Sequence, residues 1–313
     1  MRCLKKIKTN TALLCFGLVL LSAGVGHARP WSIPRDFDTI QNAVDNARVR
    51  DGDTLIVHRG RHAGAVITKS LRIMGRPGAI IDSGPVFIAD YPCVGDMQAG
   101  FELGIDSPGT GNGTIIQNLV FDNVAFPVYA KNTDNLEIVG NIMVSPIQGI
   151  TNRGGRQWRI HYNRIQNLRS ANGGAIAIFL ADSSAREGGV THNLVEYNTI
   201  SGTLAVNECD TGGYSGGGIF LNADFRNGAN GAEAIFENIV SWNRIEIVSD
   251  TPEVVDAAGI VLDDSSEATD PPIIFDNLIM FNDLHKMETA FVLAPESLAT
   301  ENIFYWNWYM LPW

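Results

Sequence analysis

The chain has 313 residues and a formal net charge of −11, from 23 Lys and Arg against 34 Asp and Glu. The acid excess lies towards the C-terminus, because residues 170–313 hold 21 acidic and 4 basic residues whereas residues 29–169 hold 13 and 15. A surface this acidic repels nucleic acid and anionic lipid, so the composition argues against nucleic-acid partners. It would also repel a polyanionic sugar unless cations intervene.

The first 28 residues are predicted to be a signal peptide. An apolar run over residues 12–25 follows a basic start made of Arg2, Lys5, Lys6 and Lys8, and small residues come before Arg29. The run is shorter than the roughly 20 residues that a membrane-spanning helix needs. No other long apolar segment follows. We therefore expect a secreted or periplasmic protein without stable membrane insertion, whose residues 29–313 form a single domain.

Residues 36–84 predict a short helix followed by short strands. Asp38 with Gln41 resembles a capping box, and an apolar face follows at Ile40, Ala43, Val44 and Ala47, which predicts a helix over about 39–48. Runs rich in β-branched residues at 54–57, 65–68, 71–74 and 79–82 are separated by glycines, which is typical of strands and turns.

From residue 118 onward, a pattern of asparagine, apolar run and asparagine recurs along the chain. Its copies are Asn118–Asn123, Asn193–Asn198, Asn238–Asn243, Asn277–Asn282 and Asn302–Asn307, with diverged copies that end at Asn141 and Asn163. Successive closing asparagines are 18 to 45 residues apart. The shortest steps fit one coil of a β-solenoid, and the longer steps fit the same coil with inserted loops.

A second repeated run consists of a small residue followed by alternating apolar residues. Its members begin at Gly100, Val128, Gly149, Gly174, Gly218, Gly259 and Ala290. This alternation predicts strands with one buried face. The long insertions flank these strands, so we expect loops to crowd one side of the solenoid.

The stretch DFDTIQNAVDNARVRDGDTLIVHRGRHAGAVITKSLRIMGRPGAIIDSG, residues 36–84, resembles the N-terminal cap and first coil of the pectin-lyase-like superfamily. The resemblance implies an all-β fold, a right-handed parallel β-helix with a short N-terminal capping helix. Residues 29–84 would form the cap and first coil, and residues 85–313 the further coils. Pectin methylesterases, polysaccharide lyases and periplasmic copper-maturation proteins share similar N-terminal stretches, so the resemblance does not indicate one activity. A leucine-rich repeat also places asparagine after leucine, but its helical half is missing here.

The asparagines are predicted to be structural. Stacked coils place equivalent residues about 4.8 Å apart. Asparagine tolerates left-handed turns, and its amide both donates and accepts hydrogen bonds. A column of these amides can therefore bond along the solenoid axis, as amide ladders do in stacked strands.

Acidic and amide side chains follow the second set of strands and are predicted to form one column with the basic residues below. Asp182, Asp263 and Asp264 are candidate catalytic carboxylates, since closely spaced carboxylates suit glycoside hydrolysis. Asp182, Asp224 and Asp263 are candidate Ca²⁺ ligands, because carboxylate oxygens are hard ligands. Asn152 and Asn222 are candidate substrate-binding residues. The alternative is that these acids are solvated residues that begin loops.

A basic group precedes these acids along the chain. Lys131 and Arg153 follow the same strand in neighbouring coils and are candidate catalytic residues, with Arg156 as a substrate-binding residue. The polysaccharide-lyase members of the superfamily imply a lysine or arginine base together with acids that hold Ca²⁺. Proton removal beside a uronate carboxylate needs such a base and a cation that stabilises the enolate. Ordinary surface charge is the alternative.

These features predict an exported protein that binds a polysaccharide and cleaves it, as a polysaccharide lyase or a glycoside hydrolase. The alternative is a non-catalytic binding or structural β-helix protein, so enzyme status and oligomeric state stay open. Copper handling is disfavoured, because only His58 and His62 are closely spaced. Cys93 and Cys209 could pair in an oxidising compartment, but the repeats between them favour free or buried thiols.

Overall fold

The computed structural model describes residues 28–171, 174–182, 188–210, 214–223, 234–264, 274–293 and 299–309. The predicted signal peptide lies outside this range except for Ala28. Within the described residues, helix α1 (Ile40–Asp45) is accompanied by 30 strands of 2 to 10 residues.

The strands of the first half follow one another with short connections. They are β1 (Pro30–Ile33), β2 (Thr54–Val57), β3 (Gly60–Ala63), β4 (Ala65–Ile67), β5 (Arg72–Gly75), β6 (Ala79–Ser83), β7 (Val86–Tyr91), β8 (Gly95–Leu103), β9 (Ile115–Gln117), β10 (Val120–Asp122), β11 (Phe126–Lys131), β12 (Glu137–Val139), β13 (Ile142–Val144), β14 (Gln148–Arg153), β15 (Arg159–His161) and β16 (Arg164–Gln166).

The strands of the second half include the longest of the fold. They are β17 (Ile176–Asp182), β18 (Val190–Thr191), β19 (Leu194–Glu196), β20 (Thr199–Leu204), β21 (Tyr214–Ala223), β22 (Ile235–Phe236), β23 (Ile239–Ser241), β24 (Arg244–Ser249), β25 (Val255–Asp264), β26 (Ile274–Phe275), β27 (Leu278–Met280), β28 (Thr289–Leu293), β29 (Ala299–Thr300) and β30 (Ile303–Tyr305).

The strands stack into four sheets, and each strand pairs with its equivalents one coil before and one coil after. Sheet A is β1-β2-β5-β9-β12-β15-β19-β23-β27-β30, and sheet B is β3-β6-β10-β13-β16-β20-β24. Sheet C is β4-β8-β11-β14-β17-β21-β25-β28, and sheet D is β18-β22-β26-β29. Pairing along these orders is parallel, whereas β7 pairs with β8 as an antiparallel hairpin. This topology is a parallel β-helix, so the predicted fold class is confirmed.

Helix α1 is shorter than the predicted 39–48 and begins one residue later. Thr39 is its N-cap, and the Thr39 hydroxyl oxygen accepts a hydrogen bond from the Asn42 backbone N–H at 3.0 Å. Gln41 instead accepts a hydrogen bond from the Val66 N–H at 2.8 Å and so ties the helix to β4. Ile40, Ala43 and Val44 of its apolar face are buried as predicted, whereas Ala47 lies beyond the helix and is exposed. The role of the helix as a cap of the solenoid stays a prediction. In the described part of the chain, no helix is long and apolar enough to cross a membrane.

Columns of apolar side chains fill the interior. On sheet C the middle column runs through Val128, Ile150, Ile178, Ile219 and Ile260, which are paired in register and have no exposed surface. Burial of each such side chain stabilises the fold by about 1.5–3 kcal/mol. The alternating runs identified in the sequence therefore align as predicted, one per coil.

The repeated asparagines form two hydrogen-bonded ladders that run along the solenoid axis. In the longer ladder each Nδ2 donates to the Oδ1 of the asparagine in the next coil, at 2.9–3.1 Å, in the order Asn141, Asn163, Asn198, Asn243, Asn282, Asn307. In the shorter ladder the order is Asn193, Asn238, Asn277, Asn302, at 2.8–2.9 Å. The predicted structural role of these asparagines is confirmed.

The first copy of the repeat, Asn118–Asn123, is offset by one strand from the other copies. Asn118 has a left-handed backbone (φ 56°) and occupies the turn position that Gly140 and Tyr162 occupy in the next coils. Leu119 therefore takes the ladder position, and its N–H donates to Asn141 Oδ1 at 3.0 Å. The stretch Asn118–Asn123 brackets β10 of sheet B, whereas the other copies bracket strands of sheet A.

Removing one ladder amide should destabilise the protein strongly. In Asn243→Ala, the backbone N–H and the side-chain Nδ2 of Asn198 lose their buried acceptor, and the Val195 carbonyl loses its donor. Each unsatisfied buried polar group costs about 1–3 kcal/mol, so we expect a loss of at least ~3 kcal/mol in the free energy of unfolding. Urea unfolding followed by circular dichroism measures this. The control is Asn42→Ala, at an exposed position of α1. An equal effect of both variants would contradict the prediction.

Candidate functional site

The outer side of sheet C contains the column in which the sequence placed the candidate site. Lys131 pairs with Arg153, Arg153 with Ala181, Ala181 with Asn222, and Asn222 with Asp263. The two basic residues therefore occupy adjacent coils as predicted. Both side chains are half-buried.

Asp182 does not belong to this column, which corrects the prediction. It lies one residue later in its strand and pairs with Ala223. Since side chains alternate between the faces of a strand, a shift of one residue turns the carboxylate towards the other face. The side chain has no exposed surface, and its Oδ2 accepts a hydrogen bond from the Ala234 N–H at 2.9 Å. Asp182 is thus not available to a polysaccharide or a surface-bound cation in this structure.

Asn152 is also buried, contrary to its prediction as a substrate-binding residue. Its side chain points into the solenoid and is fully covered. Its Oδ1 accepts from the Gly155 N–H at 2.7 Å, and its Nδ2 donates to Gly155 O at 3.1 Å and to Asn193 Oδ1 at 3.4 Å. Asn152 therefore shapes a turn and stands at the start of the shorter asparagine ladder.

Asn222 and Asp263 remain on the outer side, but far from the basic pair. Asn222 Nδ2 donates to Asp263 Oδ2 at 2.9 Å, and Asp263 is exposed. Three coil steps separate Asp263 from Arg153, about 14 Å at the usual strand spacing. The structure therefore does not bring the predicted bases and acids into one catalytic centre.

The predicted calcium ligands are not gathered in the described part of the chain. Asp224 lies outside the described residues, and the side chain of Asp264 is not described. Among the residues that are described, no group of three His, Cys, Asp or Glu side chains could hold a metal ion. A calcium site at Asp182, Asp224 and Asp263 stays a prediction, and the inward-facing Asp182 carboxylate does not fit it.

Arg156 contributes to the packing between coils. Its Nε donates to the Gly189 carbonyl at 3.1 Å, and its backbone N–H donates to Asp134 Oδ1 at 2.9 Å. The side chain is half-buried, and Arg156 follows Arg153 by three residues in the sequence. Its role in substrate binding stays a prediction.

Aromatic rings on both sides hold the Arg153 guanidinium in place. The guanidinium carbon lies 5.8 Å from the ring centroid of Tyr129 and 5.9 Å from that of Phe179. Both contacts are within the range of cation–π attraction. These contacts restrict the guanidinium to the outer face of sheet C, beside Lys131.

Two polar residues next to the basic pair were missed in the sequence, Glu102 and Tyr129. They pair with each other across β8 and β11, on the same outer face, and are 8% and 5% exposed. Burial raises the pKa of the Glu102 carboxyl, and the charge of Asp106 raises it further. Burial also raises the pKa of the Tyr129 hydroxyl. The signal was the strand alternation itself, which places Glu102 and Tyr129 outside between inward apolar residues.

The β7–β8 hairpin covers this face. Phe87 of the hairpin packs 4.3 Å from the Tyr129 ring centroid and 5.1 Å from that of Phe126. A disulfide joins Cys93, at the hairpin turn, to Cys209, which precedes β21. The expectation of free thiols was wrong, because the hairpin reaches a segment that lies 116 residues away in the sequence.

The fold and this face define the molecule as a parallel β-helix protein with a partly covered polar cluster on one sheet. No family of known proteins and no curated protein matches the chain. A solved structure of pectin methylesterase in complex with a hexasaccharide matches over 90% of this chain and 89% of that chain, with 10% identity and a TM-score of 0.37. Likeness at this level carries no inference about activity.

Loss of the disulfide should destabilise the fold. A disulfide typically stabilises a protein by about 2–4 kcal/mol, mainly by restricting the unfolded chain. We expect the double variant Cys93→Ser, Cys209→Ser to lose this amount in urea unfolding, and reduced wild type to match it. Alkylation of the unfolded, unreduced protein followed by mass spectrometry checks the pairing, and alkylated Cys93 and Cys209 would disprove it.

The buried carboxyl should make stability depend on pH. A raised pKa in the folded state means that Glu102 contributes most to the free energy of unfolding at low pH. This contribution disappears as pH rises through the folded-state pKa. The free energy of unfolding of Glu102→Gln minus that of wild type should therefore increase from pH 4 upward and then level off. Urea titrations across that range measure it, with Glu288→Gln, at an exposed glutamate, as control. A difference independent of pH would contradict the raised pKa.

Proposed function

We propose that the protein binds a polysaccharide containing uronate residues on the outer face of sheet C and cleaves it by β-elimination. The observation that carries this proposal is the pairing of Lys131 with Arg153 on adjacent coils, next to Glu102 and Tyr129. Cations at this place can hold the carboxylate of an anionic sugar. The downstream coils, where acidic residues outnumber basic ones, would repel it.

Three residues of the cluster have a chemical role in this reaction. Arg153 binds the uronate carboxylate, and its charge stabilises the enolate that forms when the neighbouring proton is removed. Lys131 is the base that accepts that proton. The bond from the sugar ring to the leaving glycosidic oxygen then breaks, a carbon–carbon double bond forms, and protonated Glu102 supplies a proton to the leaving oxygen.

Hydrolysis is a second candidate, and it has its own supporting observation. Glu102 has a raised pKa that reflects burial and the charge of the exposed Asp106. Two carboxyl groups with different environments are the acid and base pair of glycosidases. In this case Glu102 would protonate the leaving oxygen, and Asp106 would activate water or attack the sugar.

We also propose that the protein is exported to the periplasm or the cell exterior. The N-terminal segment has the order of charges and apolar residues typical of signal peptides. The Cys93–Cys209 disulfide supports this proposal, because disulfides persist in oxidising compartments and are rare in the cytosol.

Arg153→Ala should reduce cleavage of uronate polysaccharides while leaving the fold intact. We expect kcat/KM to fall by about 10²–10³-fold, as for the loss of one group that stabilises a developing negative charge. The assay follows the ultraviolet absorbance of unsaturated uronate products on a panel of uronate and neutral polysaccharides, with and without Ca²⁺. Arg164→Ala, an exposed arginine on sheet B, is the matched control.

The same panel separates the alternatives. New reducing ends without ultraviolet absorbance, abolished in Glu102→Gln, would favour hydrolysis over elimination. Binding without any cleavage would favour a non-catalytic binding protein. Activity that survives both Arg153→Ala and Lys131→Ala would remove the outer face of sheet C from the mechanism.

A further inference from the structure

A row of aromatic side chains runs along the outside of the solenoid, away from sheet C. Five successive coils place one ring each at the turn that follows sheet A, directly before a ladder asparagine. We name this set the aromatic row, and its members are Tyr162, Tyr197, Trp242, Phe281 and Trp306. Their side chains are exposed to solvent, at 60%, 42%, 49% and 70% for the tyrosines and tryptophans in chain order, while Phe281 is half-buried.

The turn itself does not call for aromatic residues. All five have a left-handed backbone, with φ between 50° and 57°. Bulky side chains rarely adopt this conformation, which costs about 1 kcal/mol or more. The equivalent positions of earlier coils are Asn118 and Gly140, the residue types that tolerate it. Unfavourable backbone conformations that persist in a structure point to a function at that place.

Four of the five rings are nearly parallel to their neighbours and overlap them only in part. The planes of Tyr162 and Tyr197 differ by 8° with centroids 5.2 Å apart, Tyr197 and Trp242 by 12° at 6.2 Å, and Trp242 and Phe281 by 18° at 4.5 Å. Carbon atoms in contact need only about 3.5–4.0 Å. The rings are therefore offset rather than eclipsed, and each leaves part of one face uncovered. Trp306 meets Phe281 edge-on at 87°.

Charges of both signs lie beside the aromatic row. Glu196 directly precedes Tyr197, whereas the exposed Arg164 follows Tyr162 by two residues. Arg244, the nearest cation to Trp242 in sequence, donates to Glu246 at 3.2 Å. These charges offset one another and give the row no strong attraction for an anionic polymer, and an uncharged polymer needs none.

We propose that the aromatic row binds an extended, uncharged polysaccharide chain, at a site separate from the one on sheet C. The row advances by one ring per coil, about 4.8 Å, which is close to the advance per sugar of an extended β-linked chain. The C–H faces of such sugars stack on partly uncovered aromatic faces. The hydroxyl groups of tyrosine and the N–H of tryptophan remain at the wet edge as hydrogen-bonding partners.

The test is retention of the purified full chain on insoluble cellulose and chitin, and affinity electrophoresis in neutral xylan and mixed-linkage β-glucan. We expect wild type to bind at least one of these polymers, and the double variant Tyr197→Asn, Trp242→Asn to bind it at least 10-fold more weakly. Asparagine tolerates the left-handed turn, as Asn118 shows at the equivalent position of an earlier coil. Thermal unfolding should therefore show an intact fold. The matched control is Trp308→Ala, a 74% exposed tryptophan outside the row, which should bind as wild type does.

Three results would overturn the proposal. Wild type could bind none of the neutral polymers, or the double variant could bind as tightly as wild type. Sedimentation could instead show a wild-type dimer that dissociates in the double variant, which would assign the row to contact between copies. The proposed sheet C function is tested independently, because Arg153→Ala should leave neutral-polymer binding unchanged and the double variant should leave uronate cleavage unchanged.

Discussion

The asparagine ladders fix the register of the coils that they join. From Asn163 onward, each oxygen of the longer ladder accepts two hydrogen bonds from the preceding coil, one from a backbone N–H and one from a side-chain Nδ2, as Asn243 does from Asn198 at 3.0 Å each. The second Nδ2 hydrogen returns to a carbonyl of the preceding coil, such as Val195 O. A slip of one residue would put an amide where a hydrophobic side chain is buried, and it would break several such hydrogen bonds at once. The coils therefore stack in one register although their lengths differ by up to twofold.

That register separates the outer surface into two chemically different regions. On sheet C, the hairpin and neighbouring side chains cover the outer face, so Glu102 and Tyr129 are desolvated and Arg153 is held between rings. Desolvation strengthens electrostatic interactions and shifts pKa values, which suits chemistry on a charged substrate. At the turn after sheet A the connection is short, and aromatic rings stay exposed along the axis. That surface has stacking area but no desolvated charge, which suits adhesion to a neutral chain.

Much of the fold could be predicted from the repeat, whereas the site could be predicted only in part. The pairing of Lys131 with Arg153 followed directly from aligning the strands, because both residues come at the same distance from a buried apolar column. The sequence pattern misplaces Asp182, because it makes the first acid after the strand equivalent to Arg153, whereas strand pairing joins Arg153 to Ala181. Glu102 was overlooked because it lies within a strand, where only the alternation distinguishes outside from inside.

The sequence by itself determined the coil, two of its repeated strands and the structural role of the asparagines, because these depend on local patterns that recur every turn of the solenoid. Only the tertiary structure decided which acids face outward, that Asn152 closes a turn inside, and that Cys93 reaches Cys209. The reason is physical: strand pairing joins residues 18 to 45 positions apart through insertions of variable length, and a shift of one residue exchanges the two faces of a strand. A hairpin that leaves the coil, as β7–β8 does, follows no repeat at all.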